Sequence, residues 1–258
     1  LTVFSKTLAE GCLSRDYGNG GTVCVCNADH CDTIEPVTPV EKSSYVIYTT
    51  NKAGLRLNKK TDKFATAEDE YENQITVGEK MYQEILGFGG AFTDSTGINI
   101  LSLNESVQEK LLRSYFSDNG IEYNLCRVPI GGTDFSTRRY SYHDDVEDAS
   151  LSNFKLQDED HKYKIPLIKR AAAYQNDLQL FGSAWSAPKW MKVHDLPAGP
   201  FGYLKKKYYQ AWADYHVKFL DAYAKENITF WGMTTGNEPF TGLLPVPVPA
   251  VGWTAQRQ

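Results

Sequence analysis

The stretch Phe230-Trp231-Gly232-Met233-Thr234-Thr235-Gly236-Asn237-Glu238-Pro239 decides how the rest of the chain is read. An apolar run climbs out of a helical pattern and ends on Asn-Glu-Pro. Read physically, it is a buried strand that delivers a carboxylic acid just past its end. Pro239 stops the strand because it has no N–H for the ladder. A residue before proline is pushed toward extended backbone angles, so Glu238 is expected to be extended where the sheet stops. Parallel barrels gather their chemistry at such strand ends. The competing reading is an exposed glutamate in a turn, and the tripeptide alone does not choose between them.

Working outward, the preceding segments repeat a strand, loop, helix rhythm. Residues 85–92 form a Gly-rich apolar run suited to a buried parallel strand. Ser102 followed by Glu105 suggests a capping box. Val107, Leu111 and Tyr115, with Leu112 and Phe116, then recur at helical spacing. Residues 123–130 read as a second strand. Pro166 stands where a helix would start, continued by Leu167, Ala171 and Tyr174. Residues 178–185 are a third strand. Trp212, His216, Phe219, Leu220 and Tyr223 mark one face of a long helix that leads into the quoted stretch. Four such units predict an α/β fold, the first half of a (β/α)₈ barrel, over 85–258.

The earlier part differs. Residues 1–40 are rich in Gly and Cys and close on Pro36 and Pro39, a small β-rich lobe. Residues 41–84 alternate at Tyr45–Thr50, at Leu55 and Leu57, and at Ile75 and Val77. They read as short strands of a β-sandwich too few to close two sheets. Cys12, Cys24, Cys26 and Cys31 crowd together, which predicts two disulfides in an oxidising compartment. The alternative is a metal site from Cys24, Cys26, His30 and Cys31, whose spacing is not that of a zinc finger. Cys126, alone in a strand, reads as a buried thiol.

Composition excludes several classes. Net charge is −5 over 258 residues, so no broad basic surface invites nucleic acid. Lys205, Lys206 and Lys207 form the one basic run, read as a solvated turn. No run of about 20 apolar residues exists to span a membrane. Leu1-Thr2-Val3-Phe4-Ser5-Lys6 is not a signal peptide; with clustered cysteines, a leader already removed is the better reading. The histidines lack HExxH spacing, there is no P-loop, and Gly87-Phe88-Gly89-Gly90 lacks dinucleotide spacing. No metal or cofactor is expected. Asn104-Glu105-Ser106 and Asn227-Ile228-Thr229 are glycosylation sequons.

Five motifs in order carry a family resemblance. They are Gly87-Phe88-Gly89-Gly90-Ala91-Phe92-Thr93-Asp94, Tyr123-Asn124-Leu125-Cys126-Arg127-Val128-Pro129-Ile130, Thr133-Asp134-Phe135-Ser136, Ser183-Ala184-Trp185-Ser186-Ala187-Pro188-Lys189-Trp190, and Gly236-Asn237-Glu238-Pro239. Together they resemble the lysosomal acid β-glucosidases, or glucosylceramidases, of glycoside hydrolase family 30. The resemblance covers nearly the whole chain. It implies a retaining hydrolysis of the β-glucosidic bond of glucosylceramide, with two carboxyl groups flanking that bond.

Glu238 would be the acid/base, its pKa raised by burial or a second carboxylate. The family's nucleophilic glutamate lies further along than these residues reach, so the chain is expected to be an N-terminal part and inactive alone. A non-catalytic sugar-binding protein is the alternative, and a third is a glycosidase using Asp94 or Asp134 as second carboxylate.

By resemblance Asp134, Trp185 and Asn237 bind glucose. The plain alternatives are a core indole for Trp185 and a turn bond for Asn237. Arg127 pairs with the nucleophile in the family; otherwise it is a structural ion pair, with Asp94 the candidate. Phe135 is expected to pack under the site. The loop 194–202 is either a pocket rim or a passive connection. The resemblance also implies the pairings Cys12–Cys24 and Cys26–Cys31, a glycosphingolipid substrate, a saposin-type activator, an anionic lipid surface, and lysosomal or secreted localisation.

Overall fold

The computed structural model describes residues 12–32, 36–52, 55, 57–65, 73, 75–194, 202–244 and 248–257. Residues 1–6, 195–201 of the expected rim loop, and 245–247 lie outside the described residues. The chain divides into two units, Leu1–Leu86 and Gly87–Gln258.

In the first unit, β1 (Ser14–Asp16) pairs antiparallel with β2 (Thr22–Cys24). The Asp16 carboxylate accepts from Gly18 N at 2.7 Å and sets the turn between them. Disulfides join Cys12 to Cys24 and Cys26 to Cys31, the pairing that the resemblance implied. All four thiols are consumed, which removes the zinc alternative. A second antiparallel pair joins β3 (Ser44–Thr49) to β4 (Asn58–Lys63). β3 is β-branched and aromatic, as strands prefer, and Tyr45 packs on Phe64 with ring centroids 5.3 Å apart.

The other expected strands of this unit are corrected. Leu55 and Leu57 lie in the β3–β4 connection, Leu57 with φ of 45°. Ile75 and Val77 are 95% and 93% exposed and belong to no strand. Among the described residues no strand lies beside them, so their alternation has no sheet face to bury.

The second unit begins with residues 88–92, which run parallel beside β5 (Leu125–Ile130). Arg127 N donates to Gly90 O at 2.9 Å and Phe92 N to Arg127 O at 2.8 Å. Gly89 permits this approach, since a Cβ there would sit 1.8 Å from Leu125 O. The expected first strand is therefore shorter than predicted, with Ile85 and Leu86 exposed.

β5 pairs parallel with β6 (Gln179–Ala184), and β6 with β7 (Gly232–Met233). Ladder bonds extend on both sides of β7: Trp231 N to Leu180 O before it, and Thr234 N to Gly182 O and Asn237 N to Ala184 O after it. Four parallel segments in sequence order, joined through helices, make the first half of a (β/α)₈ barrel.

The helices are α1 (Asp94–Leu101), α2 (Glu105–Phe116), α3 (Ile165–Ala172) and α4 (Tyr209–Ala224). α1 was not expected. Its start is capped by Thr93, whose hydroxyl accepts from Thr96 N at 2.9 Å. The capping box at Ser102 is corrected too. Ser102 ends α1, and Asn104 caps α2 by accepting from Val107 N at 3.0 Å. Glu105 is thus the first helical residue rather than the third. Pro166 sits in the first turn of α3 as predicted, after a π-turn over Asp160–Lys164. In the basic run, Lys206 and Lys207 are exposed, while the Lys205 ammonium turns in to Trp190 O at 3.0 Å.

Alternation along the strands separates two faces. Cys126, Val128 and Ile130 of β5, with Leu180 and Ala184 of β6, are buried in one cluster with Leu112, Phe116, Leu167, Ile168, Ala171, Phe219 and Tyr223 from the helices. The other face carries Arg127, Ser183 and Thr234. The Cys126 thiol is free and buried, and burial pushes its pKa up. Since the thiolate is the reactive form, the Cys126 peptide should resist alkylation in the native protein and label on denaturation. Peptide mass spectrometry checks this; fast native labelling would contradict the packing.

Candidate active site

The polar face of the sheet leads directly to the strand ends. The Arg127 guanidinium reaches across β5 and β6 and donates through Nη2 to Ser183 Oγ (2.6 Å) and Asn237 Oδ1 (2.8 Å). Ser183 Oγ in turn lies 2.6 Å from Thr234 Oγ1. The guanidinium carbon stands 4.3 Å from the Trp185 ring centroid, a cation–π stack. The indole Nε1 then donates to Asp134 Oδ1 at 3.0 Å. One connected chain therefore runs from Asp134 through Trp185 and Arg127 to Asn237, joining β5 and the loop after it to the ends of β6 and of the β7 segment. Trp185 is not a core indole, since it is only partly buried.

Arg127 is not paired with Asp94. Burial pulls its pKa below the usual arginine value, and the Glu238 charge opposes that shift. Its Nε is buried without a hydrogen-bond partner. Asp94, fully buried at the start of α1, accepts from Ser136 Oγ at 2.9 Å. The same Ser136 Oγ accepts from Thr133 N at 2.8 Å. Asp94 therefore braces the loop that carries Asp134, and it is closed off as a second reacting carboxylate. Inward Ser136 throws its neighbour outward: Phe135 is 75% exposed and does not pack under the site.

Asn237 is fixed from both ends. Its backbone N donates to Ala184 O at 2.7 Å and its Oδ1 accepts from Arg127. That orientation leaves its amide N–H groups to donate outward. Glu238 follows with φ of +43°, not extended as expected. The ladder ends at Asn237, and the chain turns at once. Glu238 O accepts from Thr241 N at 2.8 Å, and its Oε2 accepts from Thr241 Oγ1 at 3.0 Å. A positive φ outside glycine costs about 1–3 kcal/mol and persists where surroundings over-determine it, most often at functional positions. The expected burial is absent, because Glu238 is exposed.

Sequence reading missed Ser183, Thr234 and Ser136. The first two had a signal: hydroxyl residues at alternate positions of apolar strands, on the face opposite the buried aliphatics. Ser136 had none. Both sequon asparagines are exposed. No group of three or more His, Cys, Asp or Glu among the described residues is arranged to hold a metal. No helix among them is long and apolar enough to cross a membrane.

A cavity of about 330 Å³ is lined by sequence neighbours of this chain of contacts but by none of its four members. Its wall includes Thr133, next to Asp134, and Ser186, next to Trp185. A cavity of about 510 Å³ shares Arg138, Tyr140, Ser141, Asp144 and Asp145 with it. Glu238 lines neither.

Residues 85–258 match the glycosyl hydrolase family 30 TIM-barrel domain. Lysosomal acid glucosylceramidase of Mus musculus is 42% identical over 257 residues, covering 97% of this chain and 50% of that protein. The chain spans about half the length of the curated relatives it matches. Among solved structures, SrfJ from Salmonella typhimurium aligns with a TM-score of 0.72 at 28% identity, over 80% of this chain and 45% of that one. An endo-β1,6-glucanase aligns with a TM-score of 0.63 at 30% identity, over 68% of this chain and 39% of that one.

Proposed function

Because the chain belongs to glycosyl hydrolase family 30, we propose that its residues supply the acid/base half of a retaining β-glucosidase site that cleaves glucosylceramide in sphingolipid breakdown. The observation that carries this is the chain of contacts Asp134–Trp185–Arg127–Asn237 arriving beside Glu238 at the C-terminal ends of parallel strands. That arrangement offers a sugar a carboxylate acceptor, an aromatic face and an amide donor, with a proton donor one residue further on.

Glu238 protonates the departing oxygen. Asp134 takes a pair of sugar hydroxyls, and the unspent N–H groups of Asn237 donate to another. Arg127 keeps Asn237 and Trp185 in place. By the glucosylceramidase likeness, the second carboxyl that the double displacement needs belongs to a later part of the protein; Asp94, bound under Ser136, does not supply it. Lysosomal action, glycosylation at Asn104 and Asn227, an anionic lipid surface and a saposin-type activator belong to the same reading and rest on the glucosylceramidase likeness.

The test uses the full natural protein that contains this chain, with a fluorogenic β-glucoside and with glucosylceramide in mixed micelles. Proton NMR of the first product should show β-glucose before mutarotation. First-formed α-glucose would overturn the retaining mechanism, and turnover of the glucoside without glucosylceramide would overturn the lipid substrate.

One observation favours a sugar-binding role without chemistry, namely the exposure of Glu238 with no second carboxylate described beside it. The 258 residues alone keep the acid Glu238 but lack the second carboxyl of the double displacement, so they are expected to release fluorophore far more slowly than the full protein. Comparable rates would move the second carboxyl back into this chain.

A further inference from the structure

Glu238 is exposed, and an exposed glutamate must give up its side-chain freedom before its acid stands in one place. Among the described residues, one hydrogen bond reaches this carboxyl: Thr241 Oγ1 donates to Oε2 at 3.0 Å. Thr241 N also donates to Glu238 O at 2.8 Å. A residue three positions on therefore holds both the backbone and the side chain of Glu238. The backbone bond closes the turn in which Glu238 takes φ of +43°.

Thr241 is itself held. It opens a 3₁₀ turn, Thr241–Leu243. Gly242 O, in that turn, accepts from Gly202 N at 2.9 Å, Gly252 N donates to Gly202 O at 3.0 Å, and Trp253 N donates to Pro239 O at 3.1 Å. The turn is thus tied on both sides of Thr241. Branching at Cβ leaves threonine few χ1 choices, so the hydroxyl is aimed from a fixed support. The direction of its bond also divides the two carboxyl oxygens. An ionised carboxylate only accepts. The hydroxyl therefore donates into Oε2, and a proton arriving at the acid finds Oε1 unoccupied.

We propose, resting on the reading of Glu238 as the acid/base, that Thr241 is its positioning residue: it orients the carboxyl and reserves Oε1 for the proton in both half-reactions. In the first, Oε1 gives its proton to the departing oxygen as that oxygen's bond to the sugar carbon breaks and the second carboxyl bonds to the same carbon. In the second, Oε1 takes a proton from the water whose oxygen displaces that carboxyl. A carboxyl turned in advance removes an ordering cost from each proton transfer.

The experiment measures kcat/KM of Thr241→Val and Thr241→Ser in the full natural protein, on an alkyl β-glucoside and on a dinitrophenyl β-glucoside. Valine keeps the branched shape and the backbone N–H and loses the hydroxyl; serine keeps the hydroxyl. Thr241→Val should lose about 10–100-fold on the alkyl glucoside, the span of one hydrogen bond to a charged group. It should lose less than about twofold on the dinitrophenyl glucoside, whose leaving group departs without a proton, and that retained turnover also reports an intact fold. Thr241→Ser should stay within about threefold of the native protein on both, the cost of a freer χ1. Equal losses of Thr241→Val on the two substrates would overturn the proposal in favour of a purely structural turn. So would an undiminished alkyl rate, or a Thr241→Ser protein as slow as Thr241→Val. Glu238→Gln on the same pair separates the proposal from its premise. If that variant loses equally on both substrates, the acid/base reading falls; if it spares the dinitrophenyl glucoside and Thr241→Val does not, the role of Thr241 falls alone.

Discussion

Glu238→Gln in the full natural protein should lower turnover of an alkyl β-glucoside by about 10²–10⁴-fold, the span of a positioned general acid. Glutamine keeps the side-chain volume and an oxygen that still accepts from Thr241 Oγ1, at 3.0 Å in the native protein. The backbone turn at φ +43° and the ladder bond of Asn237 to Ala184 are untouched. What disappears is the transferable proton. The loss should therefore depend on the leaving group. An alkoxide needs protonation to depart, whereas a dinitrophenolate does not, so the step that forms the glycosyl-enzyme should be nearly spared with the second. The measurement is kcat/KM across aryl and alkyl glucosides of graded leaving-group acidity. The variant should show a steeper dependence than the native protein. An equal loss across the series would mean that Glu238 acts by position or charge rather than as an acid.

Where the sequence could be read and where it could not follows from what each feature depends on. β5 and β6 lie within two residues of their expected bounds because their signal is local: short β-branched and apolar runs between helical patterns. α2, α3 and α4 showed the same way through their spacing. The β7 region was legible as a run, but the regular strand is only Gly232–Met233. Its ladder bonds fall where β6 offers carbonyls, a property of the neighbour.

Asp134, Trp185, Arg127 and Asn237 were named from motifs, yet their joining into one chain was not visible. That chain depends on register: pairing β5 with β6 sets Arg127 opposite Phe181 and so within reach of Ser183. Asp94, the candidate for a structural ion pair with Arg127, was the wrong partner for this reason. The expected packing of Phe135 and the expected extended, buried setting of Glu238 failed differently. Each sits where side-chain bonding bends the backbone, Ser136 to Asp94 in one case and Thr241 to Glu238 in the other. Propensity does not encode such bends. Ile75 and Val77 show the limit of alternation, which signals a face only when another layer covers it.

Lys164→Met should destabilise the barrel unit by about 3–5 kcal/mol, the usual cost of leaving one member of a buried ion pair alone. Lys164 and Asp160 are both fully buried, one helical turn apart in the π-turn before α3. Asp160 Oδ1 accepts from Lys164 Nζ at 3.2 Å, Tyr142 OH at 2.8 Å and Tyr223 OH at 2.7 Å. Its Oδ2 accepts from Gln157 N at 3.1 Å. The hydroxyls of Tyr142 and Tyr223 are held well above the usual tyrosine pKa, chiefly by burial, so they stay protonated donors. Lys164 also donates to Pro129 O at 3.1 Å and Gly131 O at 3.3 Å. Those carbonyls end β5, where Gly131 turns with φ of +83° into the Asp134 loop.

Methionine fills the volume but leaves a carboxylate without its counter-charge and two carbonyls without a donor. Replacing both partners by apolar residues is often neutral for a simple pair. Here it should not be, because Tyr142 and Tyr223 would lose their acceptor and each buried orphan costs about 1–3 kcal/mol. Against the ~5–15 kcal/mol that holds a domain together, either change should shift the urea midpoint sharply downward. Urea unfolding followed by tyrosine and tryptophan fluorescence, with the slope m checked for equality, reads the effect. A loss below about 1 kcal/mol for Lys164→Met would show that water or rearrangement replaces the ammonium, and that the end of β5 is held by something other than this ion pair.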